Sequence, residues 1–168
     1  MTHEPVTFHE LYRRYAEDVY RFAHWLAGNA DEARDITSET FVRAWTAAAE
    51  PRGGSVKAYL FTIARNLHRR RAQRAARHQE LGEETPDPVA SPDEAVARWD
   101  DVRHALELLR ALPELDRTVL LLRAEQGLCY EEIAAITGLT VTTAKVRVFR
   151  ARARLAALMQ SSETNPPI

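Results

Sequence analysis

The stretch from Cys129 to Leu158, CYEEIAAITGLTVTTAKVRVFRARARLAAL, decides the fold. Ile133 and Ala134 begin a short apolar helix, and Gly138 follows Thr137 where a helix would end in a left-handed residue. Thr140 offers its hydroxyl as the cap of the next helix. This is the outline of a helix-turn-helix. The small residues Ala134, Gly138 and Ala144 suit two helices crossing at a sharp angle, because larger side chains would hold their backbones apart.

On the second of these helices, at roughly 100° per residue, Ala144, Val148, Ala151, Leu155 and Leu158 form one stripe that can pack against the rest of a domain. Opposite it lie Thr142, Val146, Phe149 and Ala153, flanked by Lys145 and Arg152 on one side and Thr143, Arg150 and Arg154 on the other. No acid interrupts the run from Val141 to Gln160. A merely solvated basic face has no need of Val146 and Phe149. A helix lying in a DNA major groove uses apolar groups against thymine methyls, and Arg or Lys against guanine edges and phosphates. Turn chemistry, packing stripe and basic face agree on a DNA reader.

The chain around it has 168 residues, 45% of them hydrophobic, and a net charge of -1, which suits one medium domain or two small ones. Its charge is segregated. Arg65, Arg69, Arg70, Arg71, Arg74 and Arg77 follow one another without an acid, and the next segment turns acidic from Glu80 to Asp101. Cys129 is the only cysteine, so neither an intramolecular disulfide nor a cysteine metal cluster is expected. No apolar run approaches the roughly 20 residues that span a bilayer, and the start of the chain is too polar for a signal peptide, which predicts a cytoplasmic protein without membrane insertion.

Phe8, Leu11, Tyr12, Tyr15, Val19, Phe22, Ala23 and Leu26 mark a first helix that stops at Gly28. Asp31 can cap a second, with Ala33, Ile36, Thr40, Phe41, Ala44, Trp45 and Ala48 as core positions, before Pro51 and Gly53-Gly54 break it. Ser55 can cap a third. Its stripe is Val56, Leu60, Ile63, Ala64 and Leu67, its opposite side Thr62, Arg65, Asn66 and Arg69, with Tyr59 and Phe61 at the margins. These helices predict one domain over 8–78. Residues 79–97 carry Pro86, Pro88 and Pro92 among acids and read as a flexible acidic linker. A second domain over 98–160 adds a helix ending at Pro113 and another running up to Gly127, and the last residues, SSETNPPI, read as a frayed tail. Strand signals are absent. The expected fold class is all-α: two small helical domains on a tether, the second a helix-turn-helix.

Three segments, in this order, resemble the extracytoplasmic-function (group 4) sigma factors of bacterial RNA polymerase, of the sigma-70 family. DEARDITSETFVRAW (Asp31 to Trp45) is similar to the family's region two helix that docks on the polymerase clamp. SVKAYLFTIARNLHRRR (Ser55 to Arg71) resembles its minus-10 reading helix. LPELDRTVLLLRAEQGLCYEEIAAITGLTVTTAKVRVFRARARL (Leu112 to Leu155) resembles region four. The resemblance implies that Asp31, Asp35, Glu39 and Arg43 face the clamp coiled coil, with Ser38 where the family commonly has glutamine. It implies that Tyr59, Thr62 and Asn66 lie near the melted minus-10 strand and that Arg65, Arg69 and Arg70 hold phosphates. An unpaired base offers a face for stacking and a full edge for an amide. The loop Glu50 to Ser55 falls where the family captures a flipped base.

In region four the matching positions are Thr142, Thr143, Lys145, Val146, Arg147, Phe149, Arg150 and Arg152. Val146 and Phe149 are assigned to thymine methyls, Arg150 to a base edge or phosphate, and Lys145 and Arg152 mainly to phosphates, with Arg147 nearer the packing stripe. Val146 and Cys129 each occupy a position that is often serine, and at a helix cap a thiol accepts hydrogen bonds poorly. The implied partners are core RNA polymerase, through its clamp coiled coil and its flap, promoter DNA, and an anti-sigma factor. The sequence offers no phosphate-binding glycine loop, no HExxH pair and no Ser-His-Asp arrangement, so neither catalysis nor a metal or other cofactor is expected. Two other readings make different predictions. A stand-alone dimeric helix-turn-helix regulator would bind its operator tightly without polymerase. A protein-interaction adaptor would be indifferent to changes at Lys145 and Arg150.

Overall fold

Thr7 opens the first helix by a reciprocal pair of bonds: its hydroxyl accepts the Glu10 N–H at 3.3 Å, and the Glu10 carboxylate accepts the Thr7 N–H at 2.9 Å. The computed structural model of the chain describes residues 6–47, 54–82 and 96–164, and every regular element among them is a helix. They fall into two compact units, divided after Thr85.

The first unit holds α1 (Phe8–Ala27), α2 (Ala30–Thr46) and α3 (Val56–Glu80). Helix α1 stops where expected, at Gly28, whose φ of 69° is left-handed and whose N–H reaches the His24 carbonyl at 2.7 Å. The cap of α2 is Asn29 rather than Asp31. Its side-chain oxygen accepts the N–H groups of Asp31 and Glu32 at 2.8 and 3.0 Å, and Asp31 sits inside the first turn, paired with Arg34 at 2.7 Å. Ser55 caps α3 as anticipated, accepting the Ala58 N–H at 3.1 Å.

The core of this unit is Val19, Phe22 and Leu26 from α1, Ala33, Ile36 and Phe41 from α2, and Leu60, Phe61, Ala64 and Leu67 from α3. Phe61 lies at its centre rather than its margin, edge-on to Phe22 at 4.9 Å between ring centroids. Thr37 and Thr40 are buried with their hydroxyls donating to the carbonyls one turn back, both at 2.7 Å, so they enter an apolar core without an unpaired donor. Trp45 departs from expectation, being 53% exposed. Between the start of α1 and the end of α2 its ring meets the half-exposed Phe8 edge-on, 5.6 Å away between centroids. Val56, expected in the α3 stripe, is also exposed at the first position of its helix.

The second unit holds α4 (Val96–Arg110), α5 (Glu114–Ala124), α6 (Tyr130–Thr137) and α7 (Val141–Thr164). Leu112, Val119, Leu122, Ile133, Ile136 and Val148 fill its core. Helix α7 runs on through residues first read as a tail. Its late hydroxyls donate to carbonyls one turn back, as Ser161 does to Ala157 at 3.0 Å, and Ser162 lies 2.8 Å from the ring nitrogen of His104 on α4. Residues 50–53 of the loop Glu50 to Ser55 lie outside the described residues, as does the middle of the 79–97 linker. Helices α3 and α4 take up the ends of that linker, α3 reaching Glu80 and α4 starting at Val96.

Candidate nucleic-acid and polymerase interfaces

The turn between α6 and α7 has the geometry that its residues require. Gly138 is left-handed, φ 73°, and its N–H donates to the Ala134 carbonyl at 2.9 Å. Any side chain there would be strained by the backbone conformation alone, although nothing crowds the position. Thr140 accepts the Thr143 N–H at 3.1 Å, and its own hydroxyl donates to that of Thr143 at 2.8 Å. Ala144, Val148 and Ala151 are buried, which fixes the face that α7 turns away from its domain.

That outward face carries Thr142, Thr143, Lys145, Val146, Phe149, Arg150 and Arg152, all exposed. Phe149 is 74% exposed, far beyond what packing would leave of a phenylalanine that served stability. Lys145 has a neighbour that the sequence did not suggest. Its ammonium lies 5.6 Å from the centre of the Tyr130 ring, over which Arg123 also sits at 4.6 Å while donating to the Leu128 carbonyl at 2.9 Å.

Arg147 is corrected. Its guanidinium donates to the Asp116 carboxylate at 2.8 Å, and with its side chain 39% exposed it is half-buried and engaged by an acid rather than fully open on the reading face. Arg154 reaches the other oxygen of the same carboxylate at 2.5 Å. Asp116 projects from the first turn of α5 and is almost fully buried. A pairing between residues so far apart in sequence leaves no local signal.

On α3, Asn66, Arg69 and Arg70 are exposed and Tyr59 and Thr62 half-buried, while the Thr62 hydroxyl donates to the Ala58 carbonyl at 2.8 Å. Arg65 is corrected as well: it is only 5% exposed. It lies between Ala64 and Leu67 on the packed side of the helix, which removes it from the phosphate-facing group. His68 is also buried there, its Nδ1 3.6 Å from the Glu32 carboxylate.

The acids of α2 are not bare. Arg43 forks onto Glu39 at 3.0 and 2.6 Å, and Arg71 of α3, which the sequence marked only as part of an arginine run, reaches Glu39 at 3.4 Å and Asp35 at 3.6 Å. Slight burial pushes the Glu39 carboxyl up, but Arg43 and then Arg71 outweigh it and hold the group below its ordinary value. Asp35 keeps most of its surface open to solvent. Asn29, Asp31, Glu32, Asp35, His68 and Arg71 line a shallow groove between α2 and α3. Among the described residues no group of His, Cys, Asp and Glu could hold a metal ion, and no helix is long and apolar enough to cross a membrane.

Two separate units, one with a helix-turn-helix whose basic face is open and one with an arginine-bearing third helix, match two families. Residues 11–78 match Sigma-70 region 2 and residues 104–155 match Sigma-70, region 4. Over 143 residues the chain is 39% identical to the ECF RNA polymerase sigma factor EcfG of Rhodopseudomonas palustris, covering 82% of this chain and 77% of that one. The chain belongs to the ECF sigma factors. It is also 34% identical to the ECF RNA polymerase sigma factor SigE of Mycolicibacterium smegmatis over 92% of its own length and 63% of that relative's. Among solved structures it is similar to the sigma factor RpoE in complex with the anti-sigma factor NepR from Bartonella quintana, with a TM-score of 0.73, 29% identity, and coverage of 91% of this chain and 96% of that one. It is similar too to CnrH in complex with the cytosolic domain of CnrY, with a TM-score of 0.70, 27% identity, and coverage of 92% and 88%.

Proposed function

We propose that this ECF sigma factor binds core RNA polymerase and directs it to promoters, reading the minus-35 element as duplex with α7 and holding the minus-10 element as single strand with α3. The observation that carries this reading is the outward face of α7, uninterrupted by acid and presenting Phe149 at 74% exposure among basic side chains. Phe149 and Val146 take thymine methyls, Arg150 a base edge or phosphate, and Lys145 and Arg152 phosphates, with Thr142 and Thr143 at the helix start where backbone N–H groups favour anions. On α3, Tyr59 stacks on an extruded base, Asn66 reads its edge, and Arg69 and Arg70 hold the backbone. Asp35 and Glu39 meet a basic surface on the polymerase clamp, with Asp31 and Arg43 at the rim. An ion pair with such a surface competes with Arg71 for the same oxygens.

The phosphodiester chemistry belongs to the polymerase, and this chain supplies selection. Its place of work is then the cytoplasm, where polymerase and promoter are. The similar sigma factor solved in complex with an anti-sigma factor makes an anti-sigma factor the proposed regulator. The test is retention of genomic DNA fragments by the full chain with and without core polymerase. The sigma reading predicts sequence-selective retention only when polymerase is present. Equally selective retention by a dimer of the chain alone would establish the stand-alone regulator instead.

A further inference from the structure

Five Arg and Lys residues of α7, namely Lys145, Arg147, Arg150, Arg152 and Arg154, lie in a run from Val141 to Gln160 that holds no acid, and two of them pair with one buried carboxylate on another helix. Arg147 and Arg154 stand two helical turns apart and so share a face. Asp116 lies between them with its side chain 4% exposed, one oxygen accepting from each guanidinium at 2.8 and 2.5 Å, while the side chains of Arg147 and Arg154 stay 39% and 56% exposed, so it is the ion pair and not burial that restrains them. Both bonds are charge-assisted, and a carboxylate this deep, with each oxygen engaged, leaves little freedom in where the two arginines lie. It also sits in the first turn of α5, where the helix dipole favours its charge.

We propose that Asp116 is a specificity-determining positioning residue of the minus-35 reader: it fixes the rotation of α7 about its axis and withholds Arg147 and Arg154 from phosphates. The assignment rests on α7 being the DNA-reading helix. Every cation on a reading helix strengthens binding to all sequences alike, since phosphate contacts carry no sequence information. Restraining two of five therefore lowers the indifferent part of the affinity and leaves the base-reading part, at Phe149, Val146 and Arg150, a larger share of the whole. The same restraint sets which residues point into the groove, because α7 cannot roll on its small-residue stripe of Ala144, Val148 and Ala151 while both guanidiniums are held.

The test uses the full chain and a mixed-sequence DNA duplex, with affinity measured across a series of salt concentrations. In Asp116→Asn the freed guanidiniums should steepen the dependence of log K on log salt by about 1–2 and raise low-salt affinity by about threefold per new phosphate contact. Asp116→Glu, which keeps the charge, should restore much of the wild-type slope. Arg147→Gln, whose Asp116 remains held by Arg154, should leave slope and affinity as in the wild type, whereas Lys145→Gln should flatten the slope by about 1.

A purely structural ion pair would give Asp116→Asn a lower Tm and weaker binding at an unchanged slope, and that result overturns the proposal. So does an Arg147→Gln slope flattened as much as that of Lys145→Gln, for then Arg147 already touches DNA. If Asp116→Asn does not fold, Arg147→Gln alone decides. The duplex measurement is independent of initiation, so a failure to direct polymerase strikes the sigma reading, while an unaltered slope strikes the role of Asp116.

Discussion

Phe149 stands apart from what holds this protein together. Its side chain is largely exposed, the residue being 74% exposed, so Phe149→Ala should leave the stability within about 0.5 kcal/mol of the parent's, as for other surface changes. Loss of one apolar contact to a thymine methyl should weaken promoter binding by about tenfold, and titration of polymerase-bound protein against promoter DNA reads it. A Phe149→Ala variant that melts early yet binds normally would reverse the assignment. Cys129 supports the opposite kind of prediction. It occupies the N-cap of α6, where the Glu132 carboxylate already accepts its N–H at 3.1 Å, and a serine hydroxyl would return a stronger bond than a thiol. Cys129→Ser should raise the stability of the second unit by about 0.5 kcal/mol with DNA recognition unchanged, as read by thermal melting. These two sites were legible in the sequence because each depends on residues a few positions away. The burial of Arg65 and the ion pair of Arg147 were not legible, because both are decided by other helices. Helical periodicity placed Arg65 on an open face, yet α3 buries more of its circumference than one stripe, and Arg147 answers to a carboxylate on α5.

At the scale of the helix, α2, the proposed docking face, is packed on one side and charged on the other. Phe41, Ile36 and Ala33 anchor one side, and Asp35 and Glu39 stand on the other, shared with Arg71 of α3 and Arg43 of their own helix. Such partly exposed pairs contribute little to stability, about 0–1 kcal/mol, so exchanging them for pairs with a polymerase surface costs little. Asp35→Asn combined with Glu39→Gln should therefore keep the helical circular dichroism of the parent and weaken association with core polymerase by about tenfold. Unchanged association in a competition assay against a second sigma factor would remove α2 from the interface. Helix existence was readable from period and caps throughout: Gly28, Ser55, Gly138 and Thr140 each end or begin an element as their chemistry requires. What escaped was the choice between neighbouring caps, Asn29 over Asp31, and the length of α7, whose last turn is held by Ser161 and Ser162 bonds that a tail-like composition conceals.

For the molecule as a whole, the informative feature is division. Two compact units each have their own core, and each leaves one helix with basic groups facing outward. That plan was visible in the sequence, since a proline-rich acidic stretch separates two periodic apolar patterns, and the Sigma-70 region 2 and region 4 matches fall on either side of it. What the sequence could not give was which acids and arginines neutralise one another across helices, because Asp116 with Arg147 and Arg71 with Asp35 are products of packing. The central claim is that this chain supplies another enzyme with its choice of starting point. Run-off transcription by core polymerase on a genomic fragment library, with and without the protein, measures that choice directly. Discrete new start sites sharing two upstream elements, present with the wild type and lost with Arg150→Ala, are the expected result. Start sites unaltered by the protein, or altered equally by the wild type and Arg150→Ala, would contradict it.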